Sequence, residues 1–172
     1  MPFLDKHVMI MSEIMTPEKA NFAGNIHGGH ILNFLDKVAY ACAARYSGCY
    51  VVTLSVDQVI FREPVHVGEL VRCFASVNRV GRTSMEVGIR VEAENLSTGE
   101  IRHTNTSYFT MVAVDEHRKP TPVTPLEPKT QDEKRRLKEA EKRSELRRAF
   151  SEAYDNIKTE VKASLDDETS DD

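Results

Sequence analysis

The sequence is poor in the residues that stabilise small secreted domains. Its 172 residues contain three cysteines and no tryptophan, and Cys42, Cys49 and Cys73 form no Cys-x-x-Cys pair. No apolar signal segment follows Met1. Disulfides form and persist in secreted proteins, whereas cytosolic thiols stay reduced. We therefore expect a cytoplasmic protein whose cysteines serve as small buried apolar residues.

Long apolar runs and an excess of basic residues are also absent. No stretch approaches the roughly 18 to 20 apolar residues that a membrane-spanning helix needs. Lysine and arginine number 23 against 27 acidic residues, so the formal net charge is −4. General nucleic-acid binding requires a net basic surface that displaces counterions. We expect a soluble protein with neither a membrane nor a nucleic acid as its partner.

The pattern of apolar residues predicts one α+β domain. A chain of this length that is 40% hydrophobic can bury a single core. The pattern indicates an edge strand over 7–15 and one helix over 28–48. Four further strands follow, separated by short Gly- or Pro-containing connections, over 50–61, 69–80, 84–96 and 101–114. Short connections require antiparallel pairing, so we expect a five-stranded sheet wrapped against the helix.

The last third of the chain differs in composition. The Pro-rich segment KPTPVTPLEP favours an extended path, and it separates a predicted domain over 1–127 from an extension over 128–172. From Thr130 to about Lys162 the chain is dense in charge, but Phe150, Ala153, Ile157 and Val161 recur at helical spacing. We expect a helix that docks on its own domain or on a neighbouring subunit, and the alternative is a free solvated helix. We expect the terminal LDDETSDD to be disordered.

The stretch Asn25-Ile26-His27-Gly28-Gly29-His30 leads directly into the predicted helix. Gly28 and Gly29 leave backbone N–H groups unobstructed at the positive end of that helix, where an oxyanion can bind. A glycine pair before a helix also makes an ordinary tight turn. His27 and His30 have a His-x-x-His spacing without further ligands nearby, so no metal site is predicted.

Asp36 is the best candidate for a catalytic group. Leu32, Ala39 and Ala43 form a second apolar row on the helix, and Asp36 is expected within it. A carboxylate on a packed face is costly unless it is paired or takes part in chemistry. The alternative is a boundary aspartate paired with an arginine. Asp36 is therefore predicted to act as a general base or nucleophile.

Several ordered motifs point to a known family. The segments GNIHGGHILNFLD, VTLSVDQVIFREPVHVGELV, GRTSMEV and SYFTMVAVD resemble those of the brain-type and bacterial short-chain acyl-CoA hydrolases. The similarity covers about residues 10–127. It implies a hotdog fold, in which a five-stranded sheet wraps one long helix, and an active site formed between two subunits. It also implies a homodimer, most often grouped as a hexamer made of three dimers.

The resemblance also implies residue roles. Asp36 would activate water or attack the thioester carbonyl, Gly28 or Gly29 N–H would polarise the carbonyl oxygen, and Asn25 would orient water or substrate. The connection formed by Arg79, Gly81, Arg82, Thr83 and Ser84 would hold CoA through cationic and hydroxyl donors. CoA would enter as part of the acyl-CoA substrate, and no separate cofactor is expected.

Three other functions are compatible with parts of the sequence. A hotdog dehydratase needs a histidine paired with the helical acid, but His30 lies too near the helix start to partner Asp36. A non-catalytic acyl-CoA sensor would share the fold without hydrolysis. An assembly or scaffolding protein would use the charged C-terminal helix as its functional part.

Overall fold

The protein is described by a computed structural model that covers residues 5–168. The chain divides between Glu127 and Pro128 into two compact units. The helices and strands of the first unit are β1 (Val8–Ile14), α1 (Gly28–Ser47), β2 (Tyr50–Val56), β3 (Leu70–Val80), β4 (Ser84–Glu94) and β5 (Ile101–Val114), with a short 3₁₀ turn over Pro17–Lys19. The second unit contains α2 (Gln131–Glu168).

The five strands form one antiparallel sheet in the order β1-β3-β4-β5-β2. Helix α1 lies against this sheet and contacts all five strands. Its apolar positions Ile31, Leu35, Val38 and Cys42 are buried, and Gly48 ends it in the left-handed conformation at φ 69°. The predicted α+β fold, with one long helix wrapped by five strands, is therefore confirmed.

The second strand is shorter than predicted. It ends at Val56 instead of continuing to residue 61. After Val56, two backbone hydrogen bonds connect the chain to β5. Asp57 N–H donates to the Tyr108 carbonyl at 3.0 Å, and Arg62 N–H donates to the Thr104 carbonyl at 3.2 Å. The backbone between them leaves the ladder, which removes that stretch from the sheet.

Helix α2 is longer than predicted. Thr130 and Glu133 form a capping box at its start, with Glu133 N–H donating to Thr130 Oγ1 at 3.2 Å and Thr130 N–H donating to Glu133 Oε2 at 3.0 Å. No glycine or proline interrupts 131–168, so the helix passes the expected end near Lys162 and continues to Glu168. The rest of the LDDETSDD tail, 169–172, lies outside the described residues. Across the described helices, none is long and apolar enough to span a bilayer.

Candidate active site

The start of α1 presents two unused backbone donors. His30 and Ile31 N–H donate to the His27 carbonyl at 2.9 and 3.2 Å, while the N–H groups of Gly28 and Gly29 have no acceptor within 5–168. A side chain at Gly28 would begin 3.4 Å from the Phe61 ring, and nothing lies within 4 Å of the equivalent point at Gly29. These donors lie at the positive end of a 20-residue helix, which suits a developing negative charge.

Asp36 lies in the middle of α1 and its side chain is exposed in the single chain. The prediction that it belongs to a packed row is wrong: Ala39 and Ala43 are buried, but Asp36 lies at the solvent edge of that row, next to exposed Tyr40. Alanine is short enough to be covered there, whereas a longer side chain reaches outward. The Thr53 hydroxyl donates a 2.6 Å hydrogen bond to Asp36 Oδ1.

Thr53 contacts the candidate Asp36, and the sequence did not single it out. It lies on β2 opposite Met111, on the face that α1 covers. The strand has a register shift between Thr53 and Ser55, after which Val56 pairs with Phe109. Such bulges redirect side chains beside functional sites. A threonine within the mostly apolar strand YVVTLSV was the available signal, but it became informative only when the fold brought it to Asp36.

The glycine donors and Asp36 are far apart within one chain. Gly28 and Asp36 are separated by eight residues of continuous helix, which is about 12 Å along the axis at 1.5 Å per residue. A thioester carbonyl and its attacking atom require both groups within hydrogen-bonding distance, about 3 Å. Along one helix the two groups are therefore separated by about four times that distance.

Asn21 organises the loop before α1. Its side-chain oxygen accepts hydrogen bonds from Ala23 N–H at 2.9 Å and Asn25 N–H at 3.2 Å, and its carbonyl accepts from Gly24 N–H at 3.0 Å. Gly24 adopts φ 82°, which glycine tolerates best. The backbone N–H of Asn21 donates to the Asn25 carbonyl at 2.6 Å, whereas its side-chain Nδ2 has no acceptor in the described part of the chain. The predicted Asn25 lies in the same loop and forms a backbone bridge with His66.

The predicted CoA-binding connection joins β3 to β4. Gly81 N–H donates to the Ser84 carbonyl at 2.7 Å, and the Arg82 and Thr83 carbonyls accept from Val123 and Ala113 N–H. This bonding fixes the backbone of the turn. The ion pairs found among residues 5–168 do not include Arg79 or Arg82, and Arg82 is exposed.

The thiols of Cys42 and Cys73 are buried. Burial raises the pKa of the Cys42 thiol to about 12, and burial likewise raises the pKa of the Cys73 thiol to about 12. Both thiols stay protonated at neutral pH and are poor nucleophiles. Over residues 5–168, no three His, Cys, Asp or Glu side chains cluster where they could hold a metal ion.

Comparison with known proteins identifies the family. The profile described as "Thioesterase superfamily" matches residues 23–100. Protein VdlD of Helicobacter pylori is 53% identical over 143 residues, which are 83% of this chain and 82% of VdlD. A solved apo-hexameric acyl-CoA thioesterase is 40% identical with a TM-score of 0.81, covering 84% of this chain and 92% of that chain.

An acyl-CoA hydrolase of Staphylococcus aureus, solved with butyryl-CoA, CoA and CoA disulfide, is 28% identical. Its TM-score is 0.80, and the match covers 88% of this chain and 93% of that one. The same hydrolase has been solved with an asparagine, a threonine or an aspartate changed to alanine. The fold, with a carboxylate on the helix and free donors at the helix start, defines a hydrolase site of the hotdog type. This chain belongs to the thioesterase superfamily and is a thioester hydrolase.

Proposed function

We propose that this protein hydrolyses acyl-CoA to a free acid and CoA, with Asp36 as the reacting carboxylate. The hydrogen bond from Thr53 to Asp36 is the observation that carries the proposal. It holds Oδ1 and leaves Oδ2 without a partner in the described chain. Oδ2 either takes a proton from the attacking water or attacks the carbonyl carbon itself. In both routes the carbon–sulfur bond breaks, and CoA leaves as a thiolate that is then protonated. In the second route the acyl group is left on Asp36 as an anhydride, and water hydrolyses that anhydride to the free acid and restores the carboxylate.

A spacing comparison supports this assignment and extends it. In the S. aureus hydrolase, the altered asparagine lies 15 positions before the altered aspartate, and the altered threonine lies 17 positions after it. In this chain, Asn21 lies 15 positions before Asp36 and Thr53 lies 17 positions after it. Asn25 lies 11 positions before Asp36. We therefore propose Asn21, instead of Asn25, as the amide that contacts water or the thioester carbonyl.

The local geometry is consistent with that choice. The Asn21 oxygen is occupied by two backbone N–H groups, which orient the carboxamide and leave its NH₂ group as a donor. A thioester carbonyl accepts hydrogen bonds and its oxygen gains charge as the carbon is attacked. The Gly28 and Gly29 N–H groups are further donors for the same oxygen.

The working unit is proposed to be a homodimer in which each site combines two chains. The 12 Å between Gly28 and Asp36 along one helix argues for donors from one protomer and a carboxylate from the other. The hexameric relative is consistent with repeated copies of such a dimer. We propose a hexamer of three dimers for this protein.

CoA is proposed to bind along the β3–β4 connection. Arg79 and Arg82 offer unpartnered cations for its phosphates, while Thr83 and Ser84 add hydroxyl donors. Gly81 keeps the turn tight, because an added Cβ would lie 3.0 Å from Ser84 Oγ.

The experiment measures thiol release from acyl-CoAs of C2 to C18 by the purified protein. We expect turnover of at least part of this series, and we expect Asp36→Asn to lower kcat by about 10²- to 10⁴-fold, as for loss of a general base. The thermal midpoint should stay close to wild type, since the side chain is exposed in the single chain. Tight acyl-CoA binding without turnover would point to a sensor and overturn the proposal. Wild-type turnover by Asp36→Asn would overturn the role of this residue.

A further inference from the structure

The second half of α2 carries an exposed apolar surface that the proposed hydrolysis does not use. Leu146, Phe150, Tyr154, Ile157 and Val161 are 68, 65, 53, 55 and 52% exposed. They recur every three or four residues, so they lie on one side of the helix. We call this surface the distal stripe. The Phe150 and Tyr154 rings contact each other at a centroid distance of 4.8 Å.

Four positions of this segment have the spacing of a coiled-coil seam. Leu146, Phe150, Ala153 and Ile157 follow each other at intervals of four, three and four residues, and all four are exposed. The next positions in the same series are Glu160 and Ser164, where the apolar seam ends. In this seam Ala153 is the one small residue among three large ones, so a facing helix fits best where it places a large side chain opposite Ala153.

A second copy of the same helix is complementary when it runs in the opposite direction. In an antiparallel pair with Phe150 opposite Ala153, Leu146 lies opposite Ile157, and each large residue meets a small or branched one. In a parallel pair, Phe150 would meet Phe150 and Ala153 would face Ala153 across a void, which is unfavourable. A parallel pair would also place two copies of Glu160 against each other.

We propose that residues 146–157 of α2 pair antiparallel with the same segment of a second copy of this chain. The seam is short: Leu146 to Ile157 spans about 16 Å of helix. So short a seam is too weak to associate alone. It can pair when the two copies are already held close together by other contacts of an assembly. The hexameric acyl-CoA thioesterase that is 40% identical to this chain is an example of such an assembly. The inference does not depend on the reaction catalysed.

Disulfide trapping in the full-length protein tests the pairing. The background is Cys49→Ser, because Cys42 and Cys73 are buried and Cys49 is the more accessible native thiol. In this background we compare Leu146→Cys, Ile157→Cys and the double variant under mild oxidation. An antiparallel pair predicts inter-chain dimers for the double variant alone. Within one chain the two cysteines are about 16 Å apart and cannot bond.

The matched control is a double variant on the opposite side of α2, Arg148→Cys with Asp155→Cys. In the proposed antiparallel register, residues 148 and 155 of the two helices lie at the same level along the helix axes. Their side chains point away from the stripe, so we expect no disulfide-linked dimer. Dimers from either single stripe variant would indicate parallel pairing and overturn the proposal. The absence of dimers from the stripe double variant, or equal dimers from the control, would also overturn it. Absence of acyl-CoA hydrolysis in the wild-type protein, with trapping observed in the stripe double variant, would count against the proposed function alone.

Discussion

Thr53 determines how the Asp36 carboxylate is held. Its hydroxyl donates a short hydrogen bond to a charged acceptor. Hydrogen bonds to charged groups contribute about 1.5–3 kcal/mol of free energy. Thr53→Val keeps the shape and removes the donor, so we expect kcat to fall roughly 10- to 100-fold. Thr53→Ser keeps the hydroxyl and should stay within a few-fold of wild type. Steady-state kinetics on both variants measure the difference, and full kcat in Thr53→Val would show that Asp36 needs no such support.

The roles of Asn21 and Asn25 can be distinguished by substitutions that preserve the hydrogen bonds of the loop. Asn21→Asp retains side-chain oxygens for the Ala23 and Asn25 N–H groups but replaces the NH₂ donor. Removing one donor to a developing oxyanion typically costs about 10²- to 10³-fold in kcat. We expect that loss for Asn21→Asp and a change of only a few-fold for Asn25→Ala. The reverse pattern in kcat would restore Asn25 as the functional amide.

The β3–β4 connection is the element that should govern CoA affinity. Arg79 and Arg82 form no ion pair among the described residues, so replacing both by alanine removes cations from the phosphates. We expect KM to rise roughly tenfold or more with little change in kcat, and inhibition by free CoA to weaken in step. Arg90→Ala is the control, since Arg90 is exposed and pairs with Glu92 on β4. Unchanged KM and unchanged CoA inhibition in the double variant would remove this connection from the site.

Elements were easier to predict from the sequence than contacts between them. The strands and α1 follow from alternation, helical spacing and Gly or Pro at the connections, which are local properties. The early end of β2 depends on how the chain after Val56 meets β5, and no local pattern encodes it. Asp36 was found by periodicity, but its exposure depends on how short its neighbours Ala39 and Ala43 are. Thr53 reaches Asp36 only through the sheet order, which places β2 at one edge under the helix.

The whole assembly can be tested by combining two inactive proteins. If Asn21 and Asp36 of one site come from different chains, a heterodimer of Asn21→Asp and Asp36→Asn contains one site with both lesions and one with neither. Random reassortment after co-refolding should then restore up to roughly a quarter of wild-type activity. If both residues serve the same site from one chain, verified heterodimers remain as inactive as their parents. That result would leave Asp36 in place and overturn the shared site.

The edge position of β2 has a consequence for how the protein is made. One side of this strand is unpaired, and its Val52, Leu54 and Val56 side chains are 41, 69 and 42% exposed. An open apolar edge recruits any extended segment, including one from a misfolded chain. For a newly synthesised subunit, assembly with another folded subunit therefore competes with aggregation. Which process dominates depends on the subunit concentration and on how long the subunit stays unassembled. Substitutions that slow subunit encounter should therefore lower the yield of recoverable protein before they lower its specific activity.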